Sequence, residues 1–517
     1  MAERPGFSLD SSLYKPQPLP IPRGGVINDI PPDEIQDNQL LTALNFVVRS
    51  GYVQQRLGYQ TLIGSTAGIN ATPGTIIEFV PDNQSALIVL GHLTGFAYST
   101  GGAWTDITTT ARTGTINQPV MFVPIQIASA SFRLISVNGA DAPAWWTGAT
   151  ASAFVYMTTA VIGRCATVWR SHFLQGDCTT PTDGRVASQV CWSMLGDPTT
   201  WHNSAPTTAS AGFVKLQDGN ATRIMTFVPL NGQLLAYKEE GVHVLVYKAS
   251  PFYFTQFLLH GSLTCLSRRG VVAINNGDQH AVVTKESPLV LWDGQNLSDV
   301  GFPIATNIRA NLNWAARETV WVTYWPLTNE ILLAIPTDAN TRPNRVWIYN
   351  MVYKSWWETD LDFLYAQPIY NIWSPPKLLG AHPAVNKVYE IFSGYGDGTG
   401  ATAVSSSFST KLFNFGDEKH KGVIDLAVMV NPGTGGTTTV NVSRAGLENP
   451  VQSSALTFDT ATPITVAAGT DRPRAAVRIS APYLSFRLTH SNANETVIVE
   501  RLIPYLIPRT GERKSRP

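Results

Sequence analysis

The stretch from Trp192 to Tyr247 constrains the fold more than any other part of the chain. Ile224 to Val228 is an apolar run, and Asn231-Gly232 follows it. Leu234 to Tyr237 returns, Glu240-Gly241 turns, and Val242 to Tyr247 runs out again. Asn-Gly between two apolar runs is a strong hairpin signal, because a type I′ turn needs positive φ at both central residues. An earlier turn opens at Asp197-Pro198. Three strands in succession, with no helical segment between them, make most of one propeller blade.

Similar units recur upstream and downstream. Thr75 to Phe79 faces Ala86 to Leu90 across Pro81-Asp82-Asn83. Phe132 to Val137 leads through Asn138-Gly139 to Ala144-Trp145-Trp146, and Val271 to Asn275 leads to Leu289 to Trp292. Val320 to Trp325, Glu330 to Ile335 and Arg345 to Asn350 form another meander. Trp104, Trp146, Trp201, Trp292 and Trp347 mark these units at intervals of about 40 to 55 residues, with one gap near twice that. The spacing fits four-stranded blades, so an all-β fold is expected, with a β-propeller of about six to eight blades over residues 60–400. No WD dipeptide or kelch double glycine recurs at fixed offsets, which leaves an array of β-sandwiches as the alternative fold.

The flanks read differently. Residues 1–59 form an arm in which Pro16, Pro18, Pro20 and Pro22 impose an extended path and call for another surface to lie on. Pro31-Pro32-Asp33-Glu34 then predicts a short helix from Asp33 to Leu44, with acids in its first turn. Residues 401–517 alternate apolar runs with Gly-, Pro- and Thr-rich turns and read as a β-sandwich. Pro432-Gly433-Thr434-Gly435-Gly436 is its expected exposed hairpin tip, and the basic PRTGERKSRP end reads as a solvated tail.

Composition narrows the function. Lys plus Arg number 37 against 37 Asp plus Glu, so the basic excess usual for proteins that grip nucleic acid is missing. Charged residues are 14% of the chain, against about 25% in ordinary soluble domains, which points to wide surfaces covered by partners. Cys165, Cys178, Cys191 and Cys265 contain no CxxC pair and read as buried thiols. The N-terminus has no apolar core of a secretory signal, and no run is long enough to span a membrane, so synthesis and folding in a cytoplasm are expected.

No catalytic, cofactor-binding or metal-binding residue stands out, and no enzyme activity or cofactor is expected. GxSxG, HExxH and the P-loop pattern are absent. Gly394 to Gly400 is glycine-rich but precedes no helix, so it reads as a hairpin loop, with calcium on Asp397 as the lesser reading. Glu239-Glu240 and Asp417-Glu418 sit beside turns and read as solvated acids.

Several phrases resemble the tail nozzle proteins of short-tailed bacteriophages, the family of tail tubular protein B. GGVINDIPPDEIQDNQLLTALNFVVRSGYVQQRLGY is similar to their opening, with Gly24-Gly25, Pro31, Asp33, Asn45, Arg56 and Gly58 on the pattern. RLISVNGADAPAWWTG, WSMLGDPTTW, LLAYKEEGVHVLV, VLWDGQNLSDVG and VWIYNMVYKSWWETD are similar to its blades, and PRTGER to its closing tail. The resemblance implies a structural virion protein made in the host cytoplasm. It would form a homohexameric ring below the head-to-tail adaptor, contact tail fibres or tailspikes, and let double-stranded DNA pass without sequence-specific contacts or membrane insertion. It assigns no individual gate residue. The rival class is a glycan- or receptor-binding propeller with Trp145, Trp146, Trp356 and Trp357 as sugar platforms. A third is a polysaccharide-cleaving propeller, which needs clustered acids or a Tyr/His group in a pocket.

Overall fold

The structure, a computed structural model, describes residues 15–61, 69, 71–82, 84–127, 131–158, 161–202, 210–217, 219–248, 253–383, 387–398, 402–416, 421–432, 437–448, 456–467, 473–493 and 495–508. The chain divides into two units. One comprises residues 59–351 and 359–393, the other residues 1–58, 352–358 and 394–517.

The larger unit is a seven-bladed propeller among the described residues. Blades 1 to 5 are antiparallel four-stranded meanders, beginning at Pro73–Phe79, Met121–Ile127, Cys165–Trp169, Ile224–Leu230 and Val271–Ile274. Blade 6 runs Trp321–Trp325, Glu330–Ile335, Arg345–Asn350 within this unit. Blade 7 runs Tyr365–Ile369, Lys377–His382, Lys387–Ile391, and its fourth strand is Tyr59–Thr61 from the start of the unit. The first strand of each blade lies beside the first strand of the next, and that of blade 7 lies beside that of blade 1. The ring is therefore closed.

Period-two alternation builds the cores between blades. Each middle strand is covered on both faces, so it reads as a continuous apolar run rather than an alternating one. In Leu87–His92, Leu87 and Val89 pack toward blade 2 while Ile88 and Leu90 pack toward blade 7. In blade 4, Leu234 and Ala236 join blade 3, and Leu235 and Tyr237 join blade 5. A one-residue slip would swap every side chain onto the wrong neighbour. The turn that sets this register is Asn231-Gly232, at φ of 49° and 76°, as the hairpin requires. Trp104, Trp146, Trp201, Trp292 and Trp347 are all buried. Between blades 5 and 6 the chain makes a short helix, Ala305–Asn311, and a 3-10 turn, Trp314–Thr319.

The smaller unit has two sheets. One joins Phe46–Arg49, Tyr52–Gln55, Val497–Pro508, Lys421–Pro432 and Arg474–Ala481. The other carries Leu40–Leu44, Ser406–Thr410, Tyr483–His490, Thr437–Leu447 and Thr462–Ala467. The helix expected from Asp33 to Leu44 is not there: residues 32–38 make turns, and Leu40–Leu44 is a strand paired with Ser406–Thr410. Long-range ladder bonds override the acids that suggested a helix start. From Lys15 on, the Pro-rich arm finds the surface it calls for within its own chain. Lys15–Pro16 pairs with the Val497–Pro508 strand, and Gln17 and Leu19 donate to the Pro504 and Leu502 carbonyls at 3.0 and 2.9 Å. Pro16, Pro18 and Pro20 have no N–H, so the arm presents no donors to its far side and ends the sheet. The expected hairpin tip at 433–436, the acids Asp417-Glu418 and the basic tail from Arg509 lie outside the described residues.

Candidate functional site

The innermost strands of blades 1, 2, 4, 5, 6 and 7 enclose an axial cavity of about 420 Å³. Its wall carries Ile77, Phe122, Phe227, Tyr324, Tyr365, Tyr370, Arg268 and Arg269, and no carboxylate. Arg269 just precedes blade 5 and reaches across the axis. Its Nη1 donates to the Gly74 and Leu364 carbonyls, each at 3.3 Å. Its Nη2 donates to Thr75 Oγ1 and, at 3.3 Å, to the Val120 carbonyl. The guanidinium stacks on Tyr365 at 4.5 Å. One side chain thus ties blade 5 to blades 1, 2 and 7. Desolvation lowers its pKa to about 10, which leaves it charged at neutral pH. A cavity of this size, crossed by an arginine, admits no nucleic-acid duplex.

Arg268 sits in the opposite setting. It is buried, and its Nε lies 3.9 Å from Glu318. Glu318 also meets Arg223 at 2.6 Å. Neither Glu318 oxygen accepts a well-aligned hydrogen bond, so these are close charge contacts. Arg223, Arg317 and Lys285 surround Glu239 at 3.3, 3.4 and 3.8 Å, and Lys285 reaches Glu240 at 3.1 Å. Arg185 holds Asp177 through two bonds of 2.7 and 2.8 Å, with Arg164 at 3.8 Å. Burial pushes the Glu239 carboxyl upward, but its three cationic neighbours together hold it below the usual carboxylate range. The network binds blades 3 to 5 and the segment before blade 6. Glu239 is therefore a structural ion-pair partner and not the solvated turn acid that the sequence suggested, whereas Glu240, with its side chain 45% exposed, is a solvated acid that also meets Lys285.

Trp146, Trp356 and Trp357 are at most 1% exposed, and Trp145 lies under the Arg133 guanidinium at 4.6 Å. The first three are core residues and offer no sugar platform. The four cysteines are free and buried; burial raises Cys265 to about 12 and raises Cys165 and Cys178 as well. Asp397 is engaged with Arg56, at 2.9 and 2.8 Å, instead of offering a calcium ligand. Among the described residues no group of three or more His, Cys, Asp or Glu gathers as a metal site. No helix among them is long and apolar enough to cross a membrane.

That Arg56 contact belongs to a cluster in the smaller unit. Arg56 is 1% exposed and also donates to Asn45 Oδ1 at 2.8 Å. Asn45 stands at φ 58° and passes its amide to the Ser405 carbonyl at 2.6 Å. A Cβ on Gly58 would lie 2.0 Å from the Gly396 carbonyl oxygen, and one on Gly25, at φ 70°, would lie 2.5 Å from that of Trp356. Each position admits glycine alone for a steric reason. In the sequence Asn45, Arg56 and Gly58 stand within one N-terminal phrase, and nothing local marks the distant Asp397 as their partner.

No family model and no curated protein matches the chain. Solved structures do. The extracellular domain of a putative hybrid two-component system, BT4673 from B. thetaiotaomicron, matches at 9% identity and a TM-score of 0.38, covering 82% of this chain and 48% of that one. This chain thus spans about half the length of that structure. BBS1N in complex with ARL6DN matches at 9% identity and a TM-score of 0.41, over 65% and 97% of the two chains. The Pan2 WD40 domain of Neurospora crassa matches at 10% identity and 0.35, over 65% and 94%. At these scores the likeness assigns no activity, and the seven-bladed ring rests on its own strand pairing.

Proposed function

We propose that the chain is a structural virion protein, a subunit of the tail nozzle of a short-tailed bacteriophage. Six copies would form a ring below the head-to-tail adaptor and beside the tail fibres or tailspikes. The conduit that retains and then releases the genome would run between subunits, since the axis of one propeller is blocked by Arg269. The observation that carries this reading is the Asn45–Arg56–Gly58–Asp397 fastening. Four of the residues on which the N-terminal stretch resembles the nozzle family, Gly25, Asn45, Arg56 and Gly58, are fixed by specific packing, as a shared framework motif demands, instead of lying free in a tail. The axial cavity adds support. It carries arginines, tyrosines and backbone carbonyls without the two carboxylates a glycoside hydrolase uses.

The test is assembly. Purified protein mixed with the adaptor ring of its particle, then imaged by electron microscopy, is expected to form a six-fold ring below the adaptor. A chain that stays monomeric with the adaptor and is missing from the tail of purified particles would overturn the reading. Glycan binding by the free subunit would favour the rival receptor-binding role.

A further inference from the structure

Arg269 also lines a second cavity, of about 140 Å³, formed within the propeller near the starts of blades 1 and 2. His92, Arg112, Gln118, Thr319 and Arg342 share its wall, and no carboxylate does. Among the described residues none of the three arginines has an ion-pair partner. Arg269 is held by carbonyls and one hydroxyl, and Arg112 Nη1 donates to the His92 carbonyl at 2.5 Å. Arg342 is exposed. The acids whose charge reaches the cluster, Asp106 at His92 and Asp141 at Arg112, lie outside the recess wall. Asp106 accepts from the Thr108 amide at 2.8 Å, and Asp141 accepts from Asn138 at 2.7 Å and from Thr113.

His92 supplies a second, independent sign. It is 2% exposed, yet its Nε2 has no hydrogen-bond partner. Its Nδ1 lies 3.3 Å from Thr94 Oγ1. With the hydroxyl donating to Nδ1, the neutral ring carries its hydrogen on Nε2, a buried donor without an acceptor. Such groups ordinarily find a partner, because leaving one unmet costs about 1–3 kcal/mol. Three like charges around one recess carry a further penalty unless a counter-charge completes them.

We propose that this recess is a binding site for a small oxyanion, a phosphate or carboxylate group held by Arg112, Arg342 and the His92 ring, with Arg269, its Nη hydrogens already donated, contributing its charge. Guanidinium forks match the geometry of both groups, and charge-assisted bonds of this kind are about twice as strong as neutral ones. The recess suits a group of a few heavy atoms and not an extended ligand. The site does not depend on the nozzle reading.

The full chain can be titrated calorimetrically with orthophosphate and, separately, with acetate, at ionic strength held constant with sodium chloride. Saturable binding of either anion is expected, and which one binds more tightly identifies the source of the group. Arg342→Ala is expected to weaken it about tenfold, the worth of one charge-assisted contact. His92→Phe is expected to weaken it several-fold. Arg317→Ala, in the neutralised network, should leave the affinity unchanged. The site is refuted if neither anion binds at about 10 mM. It is equally refuted if Arg342→Ala binds like the parent chain, or if Arg317→Ala weakens binding as much as Arg342→Ala, since general attraction would then account for it.

Discussion

Among the described residues of the propeller two arginine clusters stand apart, and one of them contains its own counter-charges while the other does not. Around blades 3 to 5, six bases meet Asp177, Glu239, Glu240 and Glu318. Around the recess beside blades 1 and 2, Arg112, Arg269 and Arg342 meet carbonyls, a hydroxyl and open space. Arg268 and Arg269 are consecutive in the chain and belong one to each. A buried charge surrounded by acids can be explained by stability alone. One surrounded by neutral acceptors and a cavity calls for something that completes it.

The comparison can be broken most directly at Glu318. Glu318→Ala leaves Arg268 buried without its carboxylate, and a loss of about 2–4 kcal/mol is expected in urea unfolding. A loss below about 1 kcal/mol would mean the network is ornamental.

Acid separates the clusters next. Burial holds His92 at about 4, below its ordinary 6.5, with Asp106 and Arg112 acting on it in opposite directions. The folded state then binds fewer protons than the unfolded one. The stability linked to His92 is full above pH 6.5 and is lost as the pH falls from there toward 4, on the order of 2 kcal/mol. Glu239 is depressed from an acid's range, so its contribution is lost only at lower pH, as the folded carboxyl protonates. His172, His202, His280 and His490 are also lowered by burial, so the measurement is a difference. The unfolding free energy of the parent chain should fall relative to that of His92→Phe as the pH falls from 6.5 to about 4. Parallel curves would show that His92 is not held neutral.

Arg269→Met is expected to cost about 1–2 kcal/mol, the net worth of its cross-axis bonds less the desolvation it relieves. Hydrogen exchange should quicken at Gly74, Val120 and Leu364. A variant more stable than the parent would sharpen the contrast, since the arginine would then be kept for what it binds. The smallest effect is expected from Arg342→Ala in the absence of added anion, within about 0.5 kcal/mol.

The blades were legible because their information is local. Asn231-Gly232 dictates its own turn, and apolar runs such as Leu87 to Leu90 declare a strand covered on both sides. The smaller unit was less legible because its pairing is distant. Leu40 to Leu44 carries no local mark that Ser406 to Thr410 will claim it, so the acids before it suggested a helix. The recess was illegible for the same reason: His92, Arg112, Arg269 and Arg342 come from separate blades and connections. The neutralised network was half legible. Glu239-Glu240 is visible in the sequence as a pair, but only the fold brings Arg223, Lys285 and Arg317 around it.

The closure of blade 7 sets an order of events during synthesis. Tyr59–Thr61 leaves the ribosome long before Lys387–Ile391, the strand it pairs with. The two are roughly 330 residues apart, and at about 5–20 residues per second the first strand waits roughly 15–65 s for its partner. Until blade 7 is made, Ile76, Ile88 and Leu90 lack the Ile369, Leu379, Ala381 and Val388 side chains that cover them in the finished ring. The youngest and oldest parts of the propeller therefore meet at one seam, and the nascent chain carries an open apolar flank until its last blade is made.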